Sequence, residues 1–378
     1  MNTAMLSKLA LAALVAGGAA LALPATARAG SVPPLAALGD PPIPSDNPQT
    51  PAKVELGKML FFDPRLGGDA STACSSCHEP SQGWAFSDDL SRGYPGTVHW
   101  RNSQTVVNAA YLGKLFWAGA AKSLEAQAPS AARGAVAGNG ENDMMEARLA
   151  FIPEYRKRFR EVFGSVWPHI NDAWRAIAAF ERTLIQNDTP FDRYMRGDKT
   201  ALSEQQKRGL ALFEGKANCI ACHNGPLLSD QKYYNLGVPS AQRWEEDGLS
   251  QITFLFEQYA KGVTEEMYRS VKDDAGLYYR TKEQSDKGKF RTPPLRYTLY
   301  TAPYMHNGAF WDLQEVVEFY NAGGGENEFA ANKTDLIKPL GLNDDEVADL
   351  VAFLESLSGP EIKIDPPKLP PYAPLAAE

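Results

Sequence analysis

The chain has 378 residues, 44% of them hydrophobic and 22% charged, and carries a formal charge of −8. That length supports about two domains with sizeable cores, and the composition is that of an ordinary globular protein. The acidic balance disfavours nucleic acid and anionic membrane as partners and mildly favours a basic or dipolar protein.

Residues 1–29 read as a cleavable export signal. Lys8 precedes an apolar run from Leu9 to Leu23, and Ala27-Arg28-Ala29 offers a small-x-small cleavage site before Gly30. The run is too short and too rich in Gly and Ala for a good membrane span, and no later stretch qualifies as one. A periplasmic protein is expected, with a retained N-terminal anchor as the alternative.

Residues 30–50 form a Pro-rich lead-in. A helix is predicted from Pro51 to Phe62, apolar at Val54, Leu56, Met59 and Leu60 and stopped by Asp63-Pro64. Cys74-Ser75-Ser76-Cys77-His78 follows, the C-x-x-C-H signature of c-type haem attachment. Two thiols add across the vinyl groups of one porphyrin, and the adjacent histidine reaches the iron. A Gly, Ser and Asp-rich loop covers 81–97, and regular structure resumes from Arg101 to Ala110. The spacing of Trp174, Ile177, Ala178 and Leu184 predicts a long amphipathic helix over 171–184.

The second half repeats this grammar. Leu202-Ser203-Glu204-Gln205-Gln206 reads as a helix N-cap, and Leu210, Leu212 and Phe213 run on to Cys219-Ile220-Ala221-Cys222-His223. These are the only four cysteines. A zinc ribbon would want its two pairs about 15–20 residues apart, and a pair of disulfides would leave both histidines unexplained. Two covalent c-type haems, with His78 and His223 as iron ligands, are the expected cofactors. Residues 240–289 are polar with mixed charge and read as a surface excursion. Val347, Leu350, Val351, Phe353, Leu354 and Leu357 line one face of a closing helix over 343–357, and a Pro-rich irregular tail covers 360–378.

Residues 50–358 together resemble the bacterial dihaem cytochrome c peroxidase and MauG family. The most specific stretch is Phe290-Arg-Thr-Pro-Pro-Leu-Arg-Tyr-Thr-Leu-Tyr-Thr-Ala-Pro-Tyr-Met-His-Asn-Gly308, with Leu313-Gln-Glu-Val-Val-Glu-Phe-Tyr320 after it. The resemblance implies a mainly α fold of two cytochrome-c-like haem domains, 51–195 for haem 1 and 196–359 for haem 2, packed around an interdomain calcium site. Ca²⁺ would be held by the Asn102 side chain and the Thr301 and Pro303 carbonyls, oxygen donors of the kind it prefers, with waters completing the shell. A buried Asn102 capping a turn is the plainer alternative. Phe116-Trp117-Ala118-Gly119 is similar to the family's Phe-Trp-x-Gly, whose tryptophan relays electrons between the haems. Core packing is the alternative for one of seven tryptophans. Ala118 and Ala120 replace the family's acidic residue and Arg, which removes a local salt bridge.

By the same resemblance haem 1, on His78, is the peroxide site, where the family moves protons with a Gln and, roughly ten residues on, a Glu. Gln127 matches the former. Direct counting for the latter lands on Ala137; a small insertion brings Glu141 into the role, and Glu125 is the second choice. Either is otherwise a solvated surface acid. The loop position that caps this haem in many members is Tyr94 here, with His99 nearby, unless the iron is permanently open. His169 reads as structural. The sixth ligand of haem 2 counts to Tyr320, where classical peroxidases have Met and MauG has Tyr; Met305 or water is the alternative. The resemblance therefore implies an enzyme that reduces hydrogen peroxide, drawing electrons from a small cytochrome c or cupredoxin. A MauG-like oxidase of aromatic residues in a partner protein and a plain electron-transfer dihaem cytochrome are the alternatives, and a homodimer is one option for assembly.

Overall fold

Thr50 opens the first helix by accepting the Lys53 amide, and Asp63-Pro64 closes it. The computed structural model describes residues 32–94, 96 and 98–373, so the expected export signal lies outside the described residues. The first half holds α1 (Pro51–Phe61), α2 (Leu124–Ala132), α3 (Asn142–Ala150), α4 (Pro153–Phe163) and α5 (Ile170–Glu181). After α6 (Pro190–Met195) come α7 (Glu204–Glu214), α8 (Gln242–Glu246), α9 (Gly248–Ala260), α10 (Glu265–Ser270), α11 (Tyr278–Thr281), α12 (Leu313–Asn321) and α13 (Asp344–Glu355). Strands are confined to β1 (Tyr233–Tyr234) and β2 (Phe290–Arg291), paired antiparallel with Tyr233 opposite Arg291. The described chain is thus mainly helical.

Each half crosses its opening and closing helices at a glycine. A Cβ on Gly57 of α1 would lie 1.8 Å from the Ala176 carbonyl oxygen of α5, and one on Gly209 of α7 would lie 1.9 Å from that of Asp349 in α13. No side chain fits either crossing. Around the first crossing pack Leu56, Phe61, Trp84, Tyr155, Ile177 and Phe180; around the second, Phe191, Phe213, Leu228, Leu350, Phe353 and Leu357. From Pro33 onward the described chain forms one compact unit.

Three expectations are corrected. The helix predicted to reach Leu184 ends at Glu181, because Arg182 caps it. Residues 101–108 are irregular, with only a 3-10 turn at Ala109–Tyr111, since their backbone is spent on wall contacts such as the Asn102 amide to the His306 carbonyl. Residues 240–289 are no loose excursion: Trp244, Phe254, Met267, Tyr278 and Tyr279 form a third core with Leu90 and Phe329. Its aromatics are too widely separated by charges to show as a periodic stripe.

Two long-range devices tie the chain together. Asp192 of α6 and Arg296 are both fully buried and 2.9 Å apart. Asp192 also accepts the Leu38 and Thr189 amides, while Arg296 donates to the carbonyls of Pro226 and Ala36. The irregular tail from Pro360 is anchored on the first core: Trp84 Nε1 donates to the Ile362 carbonyl, the Ile362 amide donates to the Tyr297 hydroxyl, and Arg65 donates to the Pro370 carbonyl.

Candidate active site

Both C-x-x-C-H runs fold as single 3-10 turns, Cys74–Ser76 and Cys219–Ala221, with the His78 and His223 amides donating to the carbonyls of Cys74 and Cys219. Each turn therefore presents two thiols and an imidazole from five residues. All four cysteines are unbridged, and all of them, with both histidines, line one cavity of about 900 Å³. Burial lowers the His78 pKa to about 4 and also lowers that of His223, so both rings are neutral. His223 Nδ1 lies 2.9 Å from the Leu228 carbonyl. As donor there it leaves the Nε2 lone pair free for a metal.

After each of the two turns the chain carries a similar small motif. Leu115 bridges Ala121, and Tyr304 bridges Phe310. Inside the first lie Phe116 (φ 63°), Trp117, Ala118 and Gly119 (φ 65°); inside the second lie Met305 (φ 74°), His306, Asn307 and Gly308 (φ 66°). Trp117 and His306 thus occupy equivalent places, and their rings meet edge-on at 6.4 Å. His306 also stacks on Phe290 at 3.6 Å. Trp117 Nε1 donates to the Asn102 carbonyl at 2.9 Å. Arg280 donates to the carbonyls of Ala118 and Gly119, and the Arg291 amide donates to that of Trp117. These contacts from the second half hold the Trp117 turn, around which no local salt bridge occurs among the described residues.

Gln127, Ala137, Tyr320, Met305, Asn102, Thr301 and Pro303 all line the cavity. Glu141 and Glu125 do not. Glu141 is exposed at the N-cap of α3, and Glu125 accepts from Asn47 and pairs with Arg182 at 2.7 Å. The structure brings another carboxylate to the wall, Glu181. Of the two residues considered as a cap, His99 lines the cavity and stacks on Trp100 at 4.1 Å, whereas Tyr94 lines a neighbouring hollow with Asp69 and Arg92. His169 is exposed at the start of α5. Asn102 Nδ2 donates to the Asp88 carbonyl at 3.0 Å, which turns its amide group into the protein. Asp274, which no sequence motif singles out, grips Arg101 through two hydrogen bonds of 2.6 and 2.9 Å beside this cluster. Nothing in the local sequence around Asp274 signals that pairing.

A family model described as di-haem cytochrome c peroxidase matches residues 51–200. The chain is 58% identical over 366 residues to the cytochrome-c peroxidase IdrP1 of Denitromonas iodatirespirans, covering 95% of this chain and 96% of the relative. The chain belongs to the dihaem cytochrome c peroxidase and MauG family. It is also 35% identical over 335 residues to the methylamine utilization protein MauG of Methylorubrum extorquens, covering 87% of this chain and 84% of that one. Among solved structures, a MauG-like protein associated with microbial copper homeostasis superposes with a TM-score of 0.72 at 30% identity, over 85% of this chain and 93% of that chain.

The residues present fit the two c-type haems that this family implies. Each pair of thiols sits beside a neutral imidazole, and the surrounding wall is apolar: Val107, Leu112, Leu115 and Val136 near the first turn, Leu313, Val317, Leu350 and Leu354 near the second. Trp117, read from the sequence as the relay tryptophan, gives a first test. Trp117→Phe is expected to keep both haems, to cost about 0.5–1.5 kcal/mol for the lost hydrogen bond to Asn102, and to slow electron exchange between the haems. Flash photolysis of the mixed-valence protein reads that exchange, and an unchanged rate would return Trp117 to the core.

Proposed function

We propose that the chain is a periplasmic dihaem peroxidase that reduces hydrogen peroxide to water beside the first motif. Electrons enter through the second motif from a small redox protein. The observation that carries this reading is the single cavity on whose wall Cys74, Cys77, His78, Gln127, Trp117, Cys219, Cys222 and His223 all stand. The chemistry a haem supplies when bound there is electron transfer to peroxide at an iron with an open face. His78 and His223 would hold the irons through their neutral rings. Gln127 offers an amide that can donate to one peroxide oxygen and accept from the other. Trp117, meeting His306, spans the interval between the two halves with oxidisable and polarisable rings. The apolar wall excludes water from the reaction.

Residues 51–195 and 196–359 are assigned as the two haem domains. Asn102, whose carbonyl accepts from Trp117 Nε1, and the Thr301 and Pro303 carbonyls are proposed to hold one Ca²⁺. No cluster of three or more His, Cys, Asp or Glu side chains occurs among the described residues, so such an ion would rest on amide and carbonyl oxygens. Among the described residues no helix is long and apolar enough to cross a membrane.

Mass spectrometry of the exported chain should show two haems added and residues 1–29 removed, with Cys74→Ala and Cys219→Ala each impairing one attachment. A haem-free mature mass would end this reading. A second reading, MauG-like oxidation of a partner protein's aromatic residues, is favoured by one observation: Tyr320, the residue read as sixth ligand, stands on the cavity wall beside the second motif's cysteines. Stopped-flow absorption of the diferric protein with one equivalent of peroxide separates the two. A stable high-valent spectrum without prior reduction supports the oxidase, and inertness until half-reduction supports the peroxidase.

A further inference from the structure

Acids are scarce on the cavity wall. Among the described lining residues only Glu181 and Glu257 carry carboxylates, and Glu257 is paired with Lys261. The wall position ten residues beyond Gln127 is Ala137, whose methyl group can move no proton. Glu181 is different. It ends α5 on the helix face shared with Trp174 and Ala178, is 4% exposed, and its Oε2 has no hydrogen-bond partner. A buried carboxyl oxygen without a partner is costly and calls for an explanation. α5 packs on α2, which carries Gln127, and the Arg182–Glu125 pair clamps that seam.

We infer that Glu181 is the acid–base carboxyl of the first haem pocket, exchanging protons between its Oε2 and the peroxide oxygens. This rests on the peroxide reading above. The charged and titratable groups facing Glu181 are Arg182 beside it, Glu125 on α2 and Cys74 of the first motif. Arg182 pairs with Glu125 through Nη2 alone, its Nε and Nη1 being buried without a partner, and Cys74 loses its ionisable proton once it is a thioether. Burial therefore dominates and raises the Glu181 pKa to about 8, against the pull of Arg182 and with the help of Glu125. A group poised near neutral pH is the efficient acid–base catalyst. Reducing one peroxide to two waters breaks the O–O bond and takes up two electrons and two protons. The redox partner supplies the electrons. Neutral Glu181 gives its Oε2 proton to the departing oxygen, which leaves as water; the anion takes the remaining peroxide proton, and two protons from solvent complete the second water.

The test uses the holoprotein with Glu181→Gln and Glu181→Asp, diferric for the spectra and, for the rate, in the oxidation state in which the wild type reacts with peroxide. The first haem's ferric absorption and EPR spectra, titrated through neutral and alkaline pH, should show a one-proton change in the wild type. That change should vanish in the Gln variant and move in the Asp variant. The second-order rate with peroxide should fall about 10²–10⁴-fold in Glu181→Gln, lose its pH dependence, and recover partly in Glu181→Asp. If Glu181→Gln fails to load haem, the titration of Glu181→Asp decides the question, since an unmoved one-proton change there overturns the proposal. A Gln variant with wild-type rate or wild-type titration overturns the proposal, as does Glu141→Gln taking the rate loss instead. Wild-type holoprotein inert to peroxide in every oxidation state would sink the peroxide reading itself, a result distinct from a variant as fast as wild type.

Discussion

Asp192→Ala is expected to destabilise the holoprotein by about 3–5 kcal/mol, the usual cost of stranding one partner of a buried ion pair. Asp192 and Arg296 are both inaccessible, at 2.9 Å. Removing the carboxylate leaves the Arg296 guanidinium buried with only the Pro226 and Ala36 carbonyls as acceptors. The same change strips the Leu38 and Thr189 amides of their acceptor. Urea unfolding followed by the Soret band measures the loss, and a loss below about 1 kcal/mol would mean the pair is worth no more than a surface contact. Acid response gives a second readout. Burial alone would raise the Asp192 pKa, but Arg296 and the Leu38 and Thr189 amides outweigh it and hold the carboxyl low. Its stabilisation is therefore complete above the ordinary aspartate pKa of about 3.9 and disappears as pH falls through the depressed folded value. Stability of Asp192→Ala should depend less on pH in that acid window.

Tyr320→Phe is expected to abolish the low-spin ferric signal of the second haem and convert that haem to high spin. Tyr320 lies on α12 against Cys219 and Cys222, and burial, followed by those two sulfurs, raises its phenol pKa. Such a phenol stays neutral unless a cation binds it; ferric iron acidifies its ligands, as metal ions do generally. The resulting hard anion favours the higher oxidation states, whereas a thioether favours Fe(II) and raises the potential. Tyr320→Met should accordingly shift the second haem's potential upward. EPR and near-infrared absorption decide the matter. A low-spin signal that survives in Tyr320→Phe, or a methionine–iron band already present in the wild type, would give the site to Met305, which shares the wall, and would remove the main support for MauG-like chemistry.

The sequence made the site legible wherever chemistry demands contiguous residues. Cys74 to His78 and Cys219 to His223 act from five residues each, so the attachment turns could be read without a fold. Gln127, Trp117 and Tyr320 followed from register within motifs, and all three stand on the cavity wall. The carboxylate could not be found that way. Glu181 becomes special only through the crossing of α5 and α2, and its i+1 neighbour Arg182 disguises it as half of a local ion pair. Glu141 differs for the opposite reason: it fits a shifted count, but its place at the start of α3 leaves its side chain exposed and off the cavity wall. The polar composition of 240–289 hid Trp244, Phe254 and Tyr279, whose packing depends on Leu90 and Phe329 from distant segments. Arg280 and Arg291 likewise support Trp117 through backbone carbonyls, contacts that leave no side-chain signature.

The tail anchored on the first core has a consequence for the order of assembly. Trp84 is fully buried, yet its indole proton goes to Ile362, 278 positions later, and Arg65 reaches Pro370 across 305 positions. A chain exported from its N-terminus delivers the first half's helices before these partners arrive. During that interval Trp84 and Arg65 lack their final partners, so the half that is made first matures last. Cutting the chain after Gly359 should therefore loosen the first haem's surroundings while leaving the second's intact.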